Sequence, residues 1–264
     1  MSLFNYLNYI HRPMLWPHFY RLFIKKIERF FHHDINSEDK IAMEQIRTKE
    51  YLDERAITLD VALKNLNNLY ESHEFYKKYE TILIEAKEKA NVHKSKLGDL
   101  GGATNLSLIF FVSEMLQANN VVETGVAYGW SSLSILLSIT NRPNSKLWSV
   151  DLPYLEIKND NWVGSVVPKY MNPNWKLFKC ADRDGLPRIF NKVKEIDLAH
   201  YDSDKTYEGR LYGYKTLWAH LRIGGALISD DIGDNMAFIH FCDLVKRDPT
   251  IIKDNNKFQG IIFK

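Results

Sequence analysis

The first third of the chain has the hydrophobic periodicity of α-helices. Between residues 17 and 31, apolar side chains recur every three or four positions while basic side chains occupy another face, which predicts an amphipathic helix. The apolar positions are Tyr20, Phe23, Ile24, Ile27, Phe30 and Phe31, and the basic ones are Arg21, Lys25 and Arg29. Such a helix packs on the main domain or on the partner in a homodimer. Alternatively, its aromatic and basic side chains make weak contact with a membrane surface.

Residues 37 to 94 continue with a helical pattern rich in Glu and Lys, which is typical of solvated helix faces. From residue 98 the pattern changes to short apolar runs that alternate with helical periods. We therefore divide the chain into a helical N-terminal extension, residues 1–97, and a second domain, residues 98–264.

The second domain has the alternation expected of an α/β protein. Apolar runs predict strands at 121–125, 146–152, 175–181, 196–202, 225–231, 250–254 and 259–264. Helical periods predict helices at 104–117, 129–139, 185–192, 208–221 and 235–246. Repeated strand–helix–strand units predict a Rossmann-like, doubly wound and mostly parallel seven-stranded sheet. The last two strands are joined through "NNK", which predicts a C-terminal hairpin and one antiparallel strand.

Composition narrows the class of protein. The formal net charge is +2, with 35 basic and 33 acidic residues, so no overall field would attract nucleic acid. Cys180 and Cys242 are far apart, match no metal spacing and are too few for a disulfide framework, which suits the reducing cytoplasm. No stretch approaches the roughly 20 apolar residues of a membrane span. The aromatic N-terminus does not have the pattern of a secretory signal, so we expect a cytoplasmic protein.

Acidic residues mark the ends of the first five predicted strands. These ends are Glu123 with Gly125, Asp151, Ala181 with Asp182, Asp202, and Asp230 with Asp231. In a parallel α/β sheet, ligands bind at the carboxyl ends of the strands, near the switch in strand order. Five acidic strand ends on one rim would repel each other without cations or hydroxyl donors, so the set predicts a binding site.

The turn after the first strand reads "ETGVAYGWS". A dinucleotide fingerprint that starts at Gly125 needs glycine at 127 and 130, where this chain has Ala127 and Trp130, so NAD binding is disfavoured. A tight turn and a carboxylate at the strand tip suit a ligand with an amino group and ribose hydroxyls. Asp151 lies at the next strand tip, where a ribose-binding acid is expected.

On these residues the chain, from about Gly98 to Lys264, resembles the class I S-adenosylmethionine-dependent methyltransferases. Its E-x-G-x-x-x-G-x-S turn resembles that of the small-molecule O-methyltransferases of the catechol and caffeoyl-CoA type. The resemblance implies that S-adenosylmethionine is the cofactor, with the turn on its methionine portion, Asp151 on its ribose and Ala181 or Asp182 against its adenine. The implied turn residues are Glu123, Gly125, Gly129 and Ser131. "GGATNLSL", at residues 101–108, is similar to a loop that closes over the cofactor, which adds Asn105.

Three carboxylates can meet where the fourth and fifth strands end. Asp202, Asp230 and Asp231 offer the hard oxygen ligands that suit Mg²⁺, although each could instead cap a helix or turn. Lys205 lies three residues after Asp202 and is either a general base near the metal or a surface lysine paired with Asp204. The catechol-type resemblance implies metal ligation by the three aspartates and a base role for Lys205.

The acceptor is less narrowly defined. The run "DSDKTY" also resembles the D-S-x-H-T-Y run of a branch found near sugar and natural-product pathways, with lysine replacing histidine, and "DLPYLEIKNDNWVGSVVP" is closer to that branch. We therefore expect an O-methyltransferase for a small hydroxylated acceptor, such as a sugar or a natural-product intermediate. Two alternatives stay open: a metal-independent methyltransferase in which Asp202 and Lys205 orient the acceptor, and a non-catalytic scaffold that binds the cofactor.

Overall fold

The computed structural model describes residues 12–31, 37–66, 71–98, 100–102, 105–152 and 161–264. Parts of two predicted features lie outside these ranges, namely residues 103–104 of "GGATNLSL" and residues 153–160 of "DLPYLEIKNDNWVGSVVP". The side chains of residues 26–31, which belong to the predicted amphipathic helix, also lie outside the description.

The N-terminal region is helical, as predicted, and its helices pack on the rest of the chain. The helices are α1 (Trp16–Phe31), α2 (Ser37–Asp53), α3 (Leu59–Leu66) and α4 (Ser72–Leu97). Leu63 of α3 and Phe75 of α4 are fully buried in the same core as the sheet residues. The guanidinium of Arg21 on α1 pairs with the carboxylate of Asp184 in the sheet domain. The predicted packing of the first helix on the main domain is therefore confirmed.

The sheet has seven strands in the order β3-β2-β1-β4-β5-β7-β6. The strands are β1 (Asn120–Thr124), β2 (Lys146–Asp151), β3 (Trp175–Lys179), β4 (Ile196–Tyr201), β5 (Leu221–Ser229), β6 (Thr250–Asp254) and β7 (Lys257–Phe263). β7 pairs antiparallel with both β5 and β6, whereas the pairs among β1 to β5 are parallel. The predicted mostly parallel sheet with a C-terminal hairpin is confirmed.

Helices cover both faces of this sheet. They are α5 (Leu106–Met115), α6 (Trp130–Ile139), α7 (Asp182–Phe190), α8 (Tyr207–His220) and α9 (Ala237–Val245). Val121 and Val122 are consecutive and fully buried, yet they belong to different core clusters. Because successive strand side chains point to opposite faces, both faces of β1 are covered, which explains why its two valines are consecutive.

The strand order places the switch point between β1 and β4. The chain moves outward from β1 to β3 on one side and returns at β4 to build the other side. The carboxyl ends of β1 and β4 flank the crevice where ligands of doubly wound sheets bind.

Some predicted boundaries move. β5 starts at Leu221 and ends at Ser229, so Asp230 and Asp231 lie in the following loop rather than in the strand. Asp231 has a positive φ of 51°, which ends the extended conformation. α7 begins at Asp182 instead of residue 185, because Ala181 is extended and acidic side chains occupy the first helical turn.

Candidate active site

A cavity of about 910 Å³ opens at the carboxyl ends of the strands. The residues predicted for the site that line it are Asn105, Gly125, Ser131, Asp151, Ala181, Asp182, Asp202, Lys205, Asp230 and Asp231. Glu123 and Gly129 are not part of the lining. Most of the predicted set is therefore brought together by the fold, and these two residues need a separate account.

Gly125 makes the crossing at the switch point possible. Its φ is +81°, and a Cβ atom there would lie 2.3 Å from the backbone oxygen of Asp202 at the end of β4. The two strand ends are also joined by a hydrogen bond from the Asp202 amide to the Thr124 carbonyl, 2.8 Å long. Glycine is thus required by both the backbone angle and the neighbouring strand.

Glu123 lies beneath this turn rather than in the cavity. It is fully buried, and its carboxylate accepts hydrogen bonds from Ser132 on α6 at 2.5 Å and from Ser149 on β2 at 2.7 Å. The indole of Trp175 donates in turn to the Ser149 hydroxyl at 2.8 Å. The side chain therefore fixes α6 and β2 under the turn.

Gly129 serves a contact between segments. A Cβ atom on it would lie 2.8 Å from the Cα of Gly164. The same turn accepts a hydrogen bond from the Gly164 amide to the Ala127 carbonyl, 2.9 Å long. The glycine lets the segment after residue 161 pack directly on the turn, as close backbone approach requires.

Asp151 has a free oxygen that faces the cavity region. Its Oδ1 accepts from the Val126 amide at 3.2 Å, whereas its buried Oδ2 has no hydrogen-bond partner. Burial and, to a smaller extent, the nearby Glu123 carboxylate raise the pKa of Asp151 to about 7. A buried, unpartnered carboxylate oxygen at a strand tip fits a ribose hydroxyl as its donor.

Two further residues fit the same cofactor. Asp182 accepts a hydrogen bond from the Ser203 hydroxyl, and burial raises the pKa of its carboxyl to about 6. Asn105 caps the start of α5 with a φ of 52°, and its buried Oδ1 also has no partner. The unpartnered oxygens of Asn105 and Asp151 around one cavity match a polar ligand such as S-adenosylmethionine.

Lys205 lies between two of the predicted metal ligands. Its ammonium Nζ contacts Asp202 Oδ1 and lies 2.9 Å from Asp231 Oδ2. Burial lowers the pKa of Lys205, but the carboxylates of Asp202 and Asp231 outweigh burial, and the pKa is raised above its ordinary value. In this arrangement Lys205 is a cation that neutralises the two carboxylates.

Asp230 is engaged by different partners. Gln259 donates its amide to Asp230 Oδ1, and the ring Nε2 of His200 lies 3.3 Å from Oδ2 in the geometry of an ion pair. His200 is fully buried, and its Nδ1 is 3.9 Å from Glu123 Oε1. Burial lowers the pKa of His200, but the two carboxylates dominate and raise it to about 9. The histidine thus links the acid under the cofactor turn to the acid at the end of β5.

The three aspartates do not have the arrangement of a magnesium site. Their carboxylates are taken up by Lys205, His200 and Gln259. Within the described ranges, no three His, Cys, Asp or Glu side chains are grouped so that they could hold a metal ion. The donor chemistry suits Mg²⁺, but the observed pairing directs these oxygens at Lys205, His200 and the neutral amide of Gln259.

Arg210 is a buried residue beside the strand ends that the sequence pattern did not single out. Its side chain on α8 is fully buried and donates to the carbonyls of Asp230 at 3.0 Å and Asp231 at 2.7 Å. It also pairs with the Asp234 carboxylate at 3.0 Å and the Tyr214 hydroxyl at 3.1 Å. The available signal was its spacing, because Arg210, Tyr214 and Leu217 recur on one buried face of α8.

Comparisons with known proteins agree with this site. A family model described as a methyltransferase domain matches residues 122–232, which include the glycine turn, Asp151 and the ends of β4 and β5. The chain has no match among curated proteins.

Two solved structures share the fold. An O-methyltransferase from Bacillus cereus in complex with SAH is 13% identical, with a TM-score of 0.56. That match covers 81% of this chain and 100% of the Bacillus cereus chain. The O-methyltransferase TomG from Streptomyces achromogenes, involved in tomaymycin synthesis and solved with SAM, is 14% identical with a TM-score of 0.53. That match covers 80% of this chain and 98% of TomG. At such low identity these likenesses show the fold, while the family match adds the class of domain.

Within the described ranges, none of the helices is both long and apolar enough to cross a bilayer. Family match, fold and cavity agree: the chain has an α/β Rossmann-like methyltransferase fold, and its residues 122–232 match the methyltransferase-domain family.

Proposed function

We propose that the protein is an O-methyltransferase that acts on a small hydroxylated acceptor, such as a sugar or a natural-product intermediate. One observation carries the proposal: a single cavity joins the unpartnered oxygen of Asp151 to the Asp202–Lys205 pair. The first is suited to the cofactor ribose and the second to an acceptor hydroxyl. TomG, which shares the fold and is named for tomaymycin synthesis, supports a natural-product acceptor by analogy.

In this proposal the residues divide the cavity between cofactor and acceptor. Asp151 accepts from the ribose, Ala181 and Asp182 lie against the adenine, and the Gly125 turn with Ser131 and Asn105 holds the methionine portion. Glu123 and Gly129 act indirectly, by supporting that turn. The cofactor supplies an electrophilic methyl group on a sulfonium, and displacement by an oxygen nucleophile needs positioning above all.

Two versions of the acceptor chemistry follow from the carboxylates. In the first, Asp202, Asp230 and Asp231 ligate Mg²⁺ and Lys205 is the general base. In the second, no metal takes part: the Lys205 ammonium orients the acceptor oxygen and the Asp202 carboxylate receives the hydroxyl proton. The direct pairing of Lys205 with Asp202 and Asp231 favours the second version.

Activity measurements with a labelled methyl donor and a panel of hydroxylated acceptors test the function. We expect Lys205→Ala and Asp202→Ala each to abolish turnover while calorimetry shows S-adenosylmethionine affinity within about threefold of wild type. Lys215→Ala is the matched control, because Lys215 is an exposed lysine on the same helix as Arg210. Full activity in either site variant would refute the assigned roles, and absence of methyl transfer by wild type would favour the scaffold alternative.

Two additions separate the versions of the chemistry. If no metal takes part, excess chelator should leave methyltransferase activity unchanged. Loss of activity in chelator that added Mg²⁺ restores would establish the metal-dependent chemistry. Lys205→Arg keeps the positive charge but cannot act as a base at neutral pH. Measurable turnover by this variant therefore indicates an orienting cation, and turnover as low as that of Lys205→Ala indicates a base.

A further inference from the structure

One wall of the cavity comes from outside the segment that the family model matches. Helix α1 contributes His18, Arg21, Leu22 and Lys25 to the lining, whereas the matched segment begins at residue 122. These positions are three or four residues apart and so share one side of the helix. Because the expected cofactor contacts lie at the strand ends, the α1 wall is available to the acceptor.

A charged pair holds this wall in place. The two guanidinium nitrogens of Arg21 contact the two carboxylate oxygens of Asp184, at 3.1 Å and 2.6 Å. Asp184 belongs to α7, which follows β3 and starts at the adenine-side residue Asp182. A bidentate pair fixes orientation as well as distance, so α1 has a defined position beside the cavity.

The carboxylates that line the cavity near the acceptor have partners within the protein. Lys205 contacts Asp202 and Asp231, and Lys257 lies 3.3 Å from Asp231. The remaining pairs are Asp230 with Gln259 and His200, Asp182 with Ser203, and Asp204 with Thr206. Cationic side chains therefore lie beside Asp202, Asp230 and Asp231, whereas Asp182 and Asp204 have neutral hydrogen-bond donors.

Two cations of the lining are not compensated in this way. Lys25 on α1 and Arg183 on α7 have no carboxylate within salt-bridge distance among the residues that the structure describes. The Arg183 guanidinium lies over the ring of Tyr212, 4.2 Å from its centroid. Burial, followed by the charge of Arg21, lowers the pKa of His18, which favours the neutral form of this neighbour. The α1 and α7 side of the cavity thus presents two cations, Lys25 and Arg183, that no salt bridge within the described residues occupies.

We propose that the acceptor carries an anionic oxygen group, a phosphate or a carboxylate, and that Lys25 and Arg183 bind it. The planar guanidinium can pair with two oxygens of such a group, and the lysine adds a point charge from the α1 wall. The inference rests on the proposed function, because it assumes that the space beside the cofactor takes the acceptor. It makes α1 an element that determines acceptor specificity.

Calorimetry on the full chain saturated with S-adenosylhomocysteine tests the proposal. Phenyl phosphate and benzoate are titrated as anionic probes and benzyl alcohol as the neutral probe. We expect the preferred anionic probe to bind at least tenfold more tightly than benzyl alcohol, and Lys25→Gln and Arg183→Gln each to weaken it by about tenfold. The comparison of phenyl phosphate with benzoate identifies which anion the site takes.

The control is Lys176→Gln, which removes an exposed lysine of β3 that does not line the cavity. This variant should bind every probe as wild type does. Equal binding of anionic and neutral probes would overturn this inference, and so would an unchanged preference for the anionic probe in the Lys25→Gln, Arg183→Gln double variant. Neither result would bear on the proposed function. Failure of wild type to bind S-adenosylhomocysteine would instead refute the proposed function.

Discussion

We predict that the Asp151 side chain destabilises the folded protein and strengthens cofactor binding. It lies buried at the end of β2, with one oxygen bonded to the Val126 amide and the other without a partner. Burial raises its pKa from 3.8 to about 7, which means that the fold disfavours the ionised side chain. Asp151→Asn keeps the size and the Val126 contact but removes the charge.

The expected size follows from this pKa. Each pKa unit corresponds to about 1.4 kcal/mol, so the burial of this carboxylate costs the native state about 4 kcal/mol at neutral pH. Because the native pKa is the higher one, the folded protein binds more protons between pH 3.8 and 7, and wild-type stability falls as the pH rises through that range. The amide that replaces the carboxylate has its own desolvation cost, so we expect Asp151→Asn to gain about 2 to 4 kcal/mol above pH 7.

Two measurements check this prediction. Urea unfolding at pH 5 and pH 8 should show the advantage of Asp151→Asn over wild type growing by about 2 to 3 kcal/mol as the pH rises. Calorimetry at pH 8 should show S-adenosylmethionine binding about 10- to 100-fold more weakly, because a charged hydrogen-bond acceptor is lost.

Asp243→Asn is the matched control, since Asp243 is exposed on α9 and outside the cavity lining. It should change neither quantity. If Asp151→Asn were less stable than wild type at both pH values, with unaltered cofactor affinity, the reasoning would be refuted.

Two further perturbations address the strand ends. Arg210→Met leaves the carbonyls of Asp230 and Asp231 without their donor, so we expect a loss of about 3 to 5 kcal/mol in urea unfolding. If Arg210 positions the acceptor site, kcat should drop while S-adenosylmethionine affinity stays nearly unchanged, and Arg210→Lys should restore part of kcat. Equal losses of kcat and cofactor affinity would indicate a general loss of fold instead. Gly125→Ala should abolish cofactor binding, because the new Cβ overlaps the Asp202 carbonyl. Gly98→Ala is its control, because the φ of Gly98, +82°, is nearly the same as the +81° of Gly125, but nothing lies within 4 Å of the Cβ atom that would be added. We expect this variant to bind the cofactor and to lose only about 1 to 2 kcal/mol of stability.

The fold could be predicted because its signals are local. The strands β1 to β5 are short, and β1, β3, β4 and β5 are each followed by a helical period, which leaves few alternatives to a doubly wound sheet. The acidic residues at the strand ends followed from the same pattern, because the last residue of each parallel strand lies on the carboxyl-end side of the sheet whatever the strand order. This is why Asp151, Asp182 and Asp202 all line the cavity.

The pairing of charges could not be predicted, because it joins residues that are far apart in the chain. Asp230 contacts Gln259, 29 positions away, and Arg21 reaches Asp184 across 163 positions. Periodicity shows which side of an element is buried but not which element covers it. His200 and Arg210, which are both fully buried, were therefore missed.

The amino-acid sequence by itself determined the class of fold, the glycine turn and most of the residues that line the cavity at the carboxyl ends of the strands. Only the tertiary structure decided that Glu123 supports the turn from below, that Lys205 pairs with Asp202 and Asp231, and that α1 forms a cavity wall. The physical reason is that electrostatic partners depend on distances across the fold, which neighbouring residues do not encode.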